Sequence, residues 1–242
     1  MANHAERRFQ ATDISLVPGA NDMRTMDGEA AVCGVWSTGL GVFEERMNPG
    51  CFDDVLRSPN LECYSLFNHD ASRVLGVTTN GELRLSIVNG NLRQQCDLKG
   101  DTVDSQTMRA HLEAKRIKRM SFAFKVTSRD DDKWYEKDGV IKREVNRVGG
   151  LFDTSPVTYA AYSEANVGIR GLTAGQDPEI DAIMKTLIRC ERSLPLGTTE
   201  LSALKEFHTR LGNHLAGIVV DERKPDPVVV SLQSLKEAFE GL

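Results

Sequence analysis

Three residues carry side chains that could be joined into one reaction. His69 sits in LFNHDASRVL (Leu66 to Leu75), where three polar residues follow an alternating apolar run. An imidazole at a strand end can be a surface residue, a core residue with a satisfied ring, a metal ligand or a general base. Ser121 lies in MSFAFKVTS (Met120 to Ser128), on the polar side of an aromatic-rich strand. It reads as a solvent-facing hydroxyl or as a nucleophile, and a serine hydroxyl needs a neighbouring base to attack at neutral pH. Asp153 lies in LFDTSPVTYAAY (Leu151 to Tyr162). It reads as a strand-end carboxylate paired with an arginine or a backbone N–H, or as the group that orients a histidine and stabilises its charge. Asp70 is the nearer carboxylate, yet consecutive residues of an extended strand point to opposite faces. Asn68 and Asp70 are therefore expected to shape the turn. Spacing does not assemble the three, because such triads occur in several chain orders.

Other chemistries find less support. His4, His111, His208 and His214 form no His-x-x-x-His pair and have no carboxylate at a ligand spacing, so neither a metal nor a cofactor is expected. Cys33, Cys51, Cys63, Cys96 and Cys190 are odd in number, scattered and never in Cys-x-x-Cys, which points to reduced thiols. The chain of 242 residues is 40% hydrophobic and 27% charged with a net charge of −5, and has no apolar run able to span a bilayer. Neither membrane nor nucleic acid is an expected partner. The basic run KRIKRM (Lys115 to Met120) reads as a solvated face or as an anion-attracting patch. The first residues, MANHAERRFQATD, lack the apolar core of a secretion signal, so a cytoplasmic location is expected.

The elements that must position these residues are mostly strands. Residues 1–28 are polar and turn-rich and are expected as a flexible lead-in. Strands are predicted at Glu29 to Ser37, Leu61 to Asn68, Glu82 to Val88, Leu92 to Leu98, Met120 to Ser128 and Leu151 to Tyr162. Asn89-Gly90 and Asp138-Gly139 are hairpin turns between period-2 runs. Pro156 suggests an edge position, a bulge or a bend. A short helix opens after the Pro-Gly turn of MNPGCF and closes at Pro59, and the spacing of Val103, Met108, Leu112 and Ile117 predicts a helix over 101–117, capped by Asp101 or Thr102. The fold class is mainly β with peripheral helices (α+β), a closed or nearly closed β-barrel over 29–170. Past Arg170 the chain turns helical and strandless, so 171–242 is predicted as a helical tail with Leu201, Leu204, Phe207, Leu211 and Leu215 along one stripe.

Four blocks in order, CGVWS with MNPGCF, FNHDASRVLG, RIKRMSFAF and LFDTSPVTYAAY, resemble the caudovirus prohead serine proteases over Ala30 to Arg170. These are capsid-maturation proteases of tailed phages, related in fold to the herpesvirus assemblins. The resemblance implies an assemblin-like barrel with His69 as catalytic histidine and Ser121 as nucleophile. Asp153 stands where the family usually has Glu, a carboxylate one methylene shorter, and Ala160 stands where it has Pro. The implied substrates are the major capsid protein with its scaffold region and the protease's own tail. Work inside the assembling procapsid in the host cytoplasm, and a homodimer, are also implied. The oxyanion hole leaves no side-chain signature, and Arg116 to Arg119 is a candidate for helping it. The tail reads as a scaffolding or delivery segment or as a helical cap. The alternative to an enzyme is a catalytically silent assembly factor with the same fold, while a small-ester hydrolase is disfavoured by the absence of a Gly-x-Ser-x-Gly elbow and of α/β alternation.

Overall fold

The structure, a computed structural model, describes residues 6–10, 14–19, 23–37, 42–100, 102–158, 178–202, 205 and 208–209. Its strands in chain order are β1 (Glu6–Gln10), β2 (Ile14–Pro18), β3 (Arg24–Ala31), β4 (Phe43–Met47), β5 (Tyr64–Leu66), β6 (Val74–Val77), β7 (Leu83–Val88), β8 (Asn91–Leu98), β9 (Arg119–Lys125), β10 (Asp132–Lys137), β11 (Val140–Val145) and β12 (Gly150–Val157). The helices are α1 (Asp53–Arg57), α2 (Val103–Glu113) and α3 (Pro178–Glu191).

Local chemistry explains the elements that lie where they were predicted. The β7–β8 turn has Asn89 and Gly90 at φ 51 and 82, and the β10–β11 turn has Asp138 and Gly139 at φ 53 and 75. Left-handed φ at both central residues matches the twist of the flanking strands. Helix α2 starts at Val103 because the Thr102 hydroxyl accepts the Ser105 N–H at 3.2 Å, and it buries Met108 and Leu112 against the sheets.

Among the described residues the strands form three sheets, ordered β1-β9-β12-β5-β6, β2-β3-β8-β7 and β10-β11-β4. The expected closed β-barrel is not what forms, since no hydrogen-bonded pairing of described strands joins the sheet edges. Closure needs a continuous ladder with constant stagger, whereas β5 and β6 run for only 3 and 4 residues before turns end them. The shared core holds Phe52, Phe122, Phe124, Met26, Leu92, Leu98 and Met108, with the Phe52 and Phe122 rings edge to face at 5.7 Å.

Three further expectations change. Within 1–28, expected as a flexible lead-in, residues 6–10, 14–18 and 24–28 are strands: β1 pairs with β9, and β2 with β3. β1 looks unsuited to burial, but two of its charges, Glu6 and Arg8, are answered inside the fold while Arg7 is exposed. Arg8 donates to both oxygens of the buried Glu45 and to Glu6, while Arg143 donates to Glu45 at 2.8 Å, to Asp132 at 2.8 Å and to Glu6 at 2.8 Å. Of the edge position, bulge or bend that Pro156 suggests, the edge position is not what forms, since β12 pairs with β9 and β5, and the bulge of this strand lies earlier, between Leu151 and Asp153. Pro156 sits past the single β5 partner, Tyr64 opposite Asp153, where no N–H is demanded on that side. The predicted strand over 61–68 shrinks to β5, because the chain turns left-handed at Asn68 and His69.

Part of the predicted tail is described. In α3, Met184 packs with Val42, Phe43 and Ile141, and Ile188, together with Leu194 just past the helix, lies against the same cluster beside Trp134, so the helix covers the β10-β11-β4 sheet. Arg189 bonds Glu136 at 2.7 Å and also Glu200. The stripe Leu204, Phe207, Leu211 and Leu215 lies outside the described residues.

Candidate active site

Ser121 is on β9, between β1 and β12. Alternation along this strand sends Phe122 and Phe124 into the core and puts Ser121 and Ala123 on the opposite face, where both are nevertheless buried. Its cross-strand partner on β12 is Ser155.

Asp153 reaches the same face through a bulge. Leu151 pairs with Phe124 while Asp153 pairs with Ala123, so Phe152 is an extra residue on β12. Partners directly across a ladder share a face, so Leu151 joins the core with Phe124 while Asp153 and Ser155 stand on the side of Ser121. Thr154, between them, turns to the core and donates to the buried Gln94 at 2.5 Å.

His69 follows β5, the strand beyond β12. Asn68 and His69 have φ 55 and 60, a region that asparagine tolerates better than most residues. Both edges of the Asn68 amide bond Thr158 at the end of β12: Nδ2 donates to Oγ1 at 3.1 Å and Oδ1 accepts the Thr158 N–H at 2.8 Å. Asp70 faces away, accepting the N–H and hydroxyl of Ser72 at 2.9 and 2.6 Å. Arg73 then closes the turn, its carbonyl accepting the Phe67 N–H at 3.0 Å and its guanidinium lying 3.8 Å over the Phe67 ring. The same guanidinium bonds Asp104, in the first turn of α2, at 2.8 Å.

These supports bring the three predicted residues together. His69 Nδ1 lies 2.6 Å from Asp153 Oδ1, and His69 Nε2 lies 2.6 Å from Ser121 Oγ. With the proton on Nδ1, the ring donates to the carboxylate and accepts from the serine hydroxyl. The His69 and Asp153 side chains are 8% and 7% exposed, so water competes little for either contact. Such an arrangement can take a proton from Ser121 during attack and hold the resulting imidazolium.

Nearby thiols are poor rivals as nucleophiles. Burial pushes Cys63 well up, with the charge of Asp153 adding to it, and burial pushes Cys96 up to about 12. Among the described residues no His, Cys, Asp and Glu cluster has the form of a metal site. Arg116, Lys118 and Arg119 are exposed, with Arg119 opening β9 two residues before Ser121. Sequence reasoning missed Ser155 and Thr158, whose placement depends on register and on a contact across 90 residues.

The profile of the caudovirus prohead serine proteases matches residues 10–176. The chain belongs to that family. Membership in the prohead proteases carries serine-protease chemistry and a role in the maturation of phage capsids. Among solved structures, the bacteriophage T4 capsid assembly protease, gp21, is similar at 9% identity with a TM-score of 0.42, covering 64% of this chain and 96% of that one. No curated protein matches. Among the described residues of this prohead protease, no helix is long and apolar enough to cross a membrane.

Proposed function

We propose that the chain is a serine endopeptidase of the procapsid interior, in which Ser121 is the nucleophile, His69 the general base and acid, and Asp153 the carboxylate that orients His69. The observation that carries this reading is the pair of 2.6 Å contacts running from Ser121 through His69 to Asp153. As Ser121 Oγ attacks the scissile carbonyl carbon, its proton passes to His69 Nε2, and the ring's positive charge is stabilised by Asp153 through Nδ1–H. The tetrahedral intermediate collapses as His69 gives that proton to the leaving amine, and an acyl-enzyme remains on Ser121. Water, deprotonated by the same imidazole, then releases the acid product and restores the hydroxyl.

The proposed substrates are the scaffold region of the major capsid protein and the protease itself, cut within its C-terminal segment, with two copies of the chain as the working unit. Family membership supports the capsid substrate, and the change of character past Arg170 supports a removable tail. Co-expression with the capsid protein tests the reading. The chain should shorten the capsid band and its own, while Ser121→Ala should leave both at full length. Capsid processing that persists in the Ser121→Ala variant would refute the assignment.

A further inference from the structure

Ser155 is a buried hydroxyl that the catalytic reading leaves without a role. It is 0% exposed, on the site face of β12 directly across from Ser121. Its Oγ donates to Asp153 Oδ1 at 2.6 Å and accepts the Leu66 N–H at 3.2 Å. Oδ1 is the same oxygen that meets His69 Nδ1 at 2.6 Å. Two donors thus converge on one carboxylate oxygen, and the acceptor side of the hydroxyl ties it to the last residue of β5, where the histidine turn begins.

Local packing does not demand this arrangement. A buried hydroxyl must find a partner, and the neighbouring Thr154 meets that need in the core, at Gln94. Ser155 instead uses its proton on Asp153. Because the bond has a charged acceptor and lies out of water, it fixes the carboxylate rotamer more firmly than an exposed bond would. The Leu66 link makes the hold two-sided: the strand carrying the carboxylate and the strand leading to the imidazole are referred to one oxygen.

We infer that Ser155 is a positioning residue, whose hydroxyl aligns the Asp153 carboxylate and, through it, the His69 ring that activates Ser121. The inference rests on the triad reading above. A fluorophosphonate probe, which phosphonylates an activated serine with loss of fluoride whatever the natural substrate, tests it on the full chain. Ser155→Ala should lower the maximal labelling rate roughly ten- to a hundredfold, the scale expected for losing one bond to a charged group, with the probe's half-saturating concentration unchanged. Ser155→Thr, which keeps the hydroxyl, should recover most of that rate. In proton NMR, the His69 Nδ1–H resonance, whose proton faces Asp153 Oδ1 at 2.6 Å, should shift or broaden between the parent and Ser155→Ala. Circular dichroism melts establish that each variant is folded. Should alanine prevent folding, Ser155→Cys keeps the side-chain connectivity, with a somewhat larger atom that is only a weak S–H donor, and is expected to label slowly in the same way.

Wild-type labelling by a folded Ser155→Ala, or by Ser155→Cys in its place, overturns the inference. So does a folded Ser155→Thr as slow as Ser155→Ala, or an unmoved Nδ1–H resonance. The two readings fail differently: labelling that survives Ser121→Ala removes the nucleophile assignment itself, whereas an inert Ser121→Ala beside a fully active Ser155→Ala removes only the role of Ser155.

Discussion

Leu151 and Asp153 lie two residues apart on β12 yet face opposite sides of it. A regular strand puts such a pair on one face; here Phe152 is the extra residue of a bulge, so Leu151 stays with Phe124 in the core while Asp153 turns to His69. One short segment can then supply both a core leucine and a site carboxylate. Unequal costs are expected. Leu151→Ala should destabilise by about 2–5 kcal/mol, while Phe152→Ser, at a side chain 38% exposed, should cost less than about 1 kcal/mol. Urea unfolding measures both, and comparable losses would contradict the bulge.

Replacing the carboxylate tests the orienting role. Asp153→Asn keeps the shape, but the amide offers the ring a donor as readily as an acceptor and so no longer selects the tautomer with Nδ1–H. Activity should fall about 10²- to 10⁴-fold with a near-normal melting temperature. Asp153→Glu retains the charge one methylene further out and should recover part of the loss. Single-turnover cleavage of purified capsid protein reads both, and an Asp153→Asn variant of normal rate would remove Asp153 from the triad.

How much of this was legible in the sequence depends on the range of the forces involved. Asn89-Gly90, Asp138-Gly139 and the Thr102 cap are local devices, so their elements emerge from short windows. His69, Ser121 and Asp153 could be nominated by type and local setting, yet resemblance had to join them, because 52 residues separate His69 from Ser121 and 84 separate His69 from Asp153. β1 was illegible for the same reason in reverse. Arg8 and Glu6 read as surface charges until Glu45 and Arg143, 37 and 137 residues away respectively, are folded against them. The bulge at Phe152, and with it the role of Ser155, is a property of the β9–β12 register, which no window on β12 contains. The expected barrel failed on the same ground, since hydrophobic alternation reports strands and faces but not where a ladder stops.

The Asn68 amide should matter to both stability and rate. It supplies a side chain that tolerates φ 55 and bonds Thr158 twice, at 3.1 and 2.8 Å. Asn68→Ala loses both properties and should cost about 1–3 kcal/mol. Asn68→Gly keeps the backbone freedom but not the clamp, so it should lose less stability while remaining slow. Melting curves paired with fluorophosphonate labelling separate the two contributions. If Asn68→Gly labelled at the parent rate, the clamp would have no part in holding His69.

Acid should unfold the domain through the buried charge network that anchors β1. Burial pushes the Glu45 carboxyl up, but Arg8 and Arg143 outweigh it and hold the group below its ordinary 4.5. A folded value below the unfolded one means that the unfolded chain takes up the proton first. The stabilisation is therefore complete above a pH of about 4.5 and disappears as pH falls through the lower folded value. Asp97, bonded by Arg84 and held below its ordinary 3.8, adds a loss of the same sign further down. The melting temperature should be level from neutral pH to about 5 and drop steeply below. Glu45→Gln should flatten the upper part of that drop. Arg143→Met should cost about 3–5 kcal/mol at neutral pH, because Glu45 and Asp132 stay buried with a partner removed. An acid limb unchanged by Glu45→Gln would place the responsible carboxylates elsewhere in the chain.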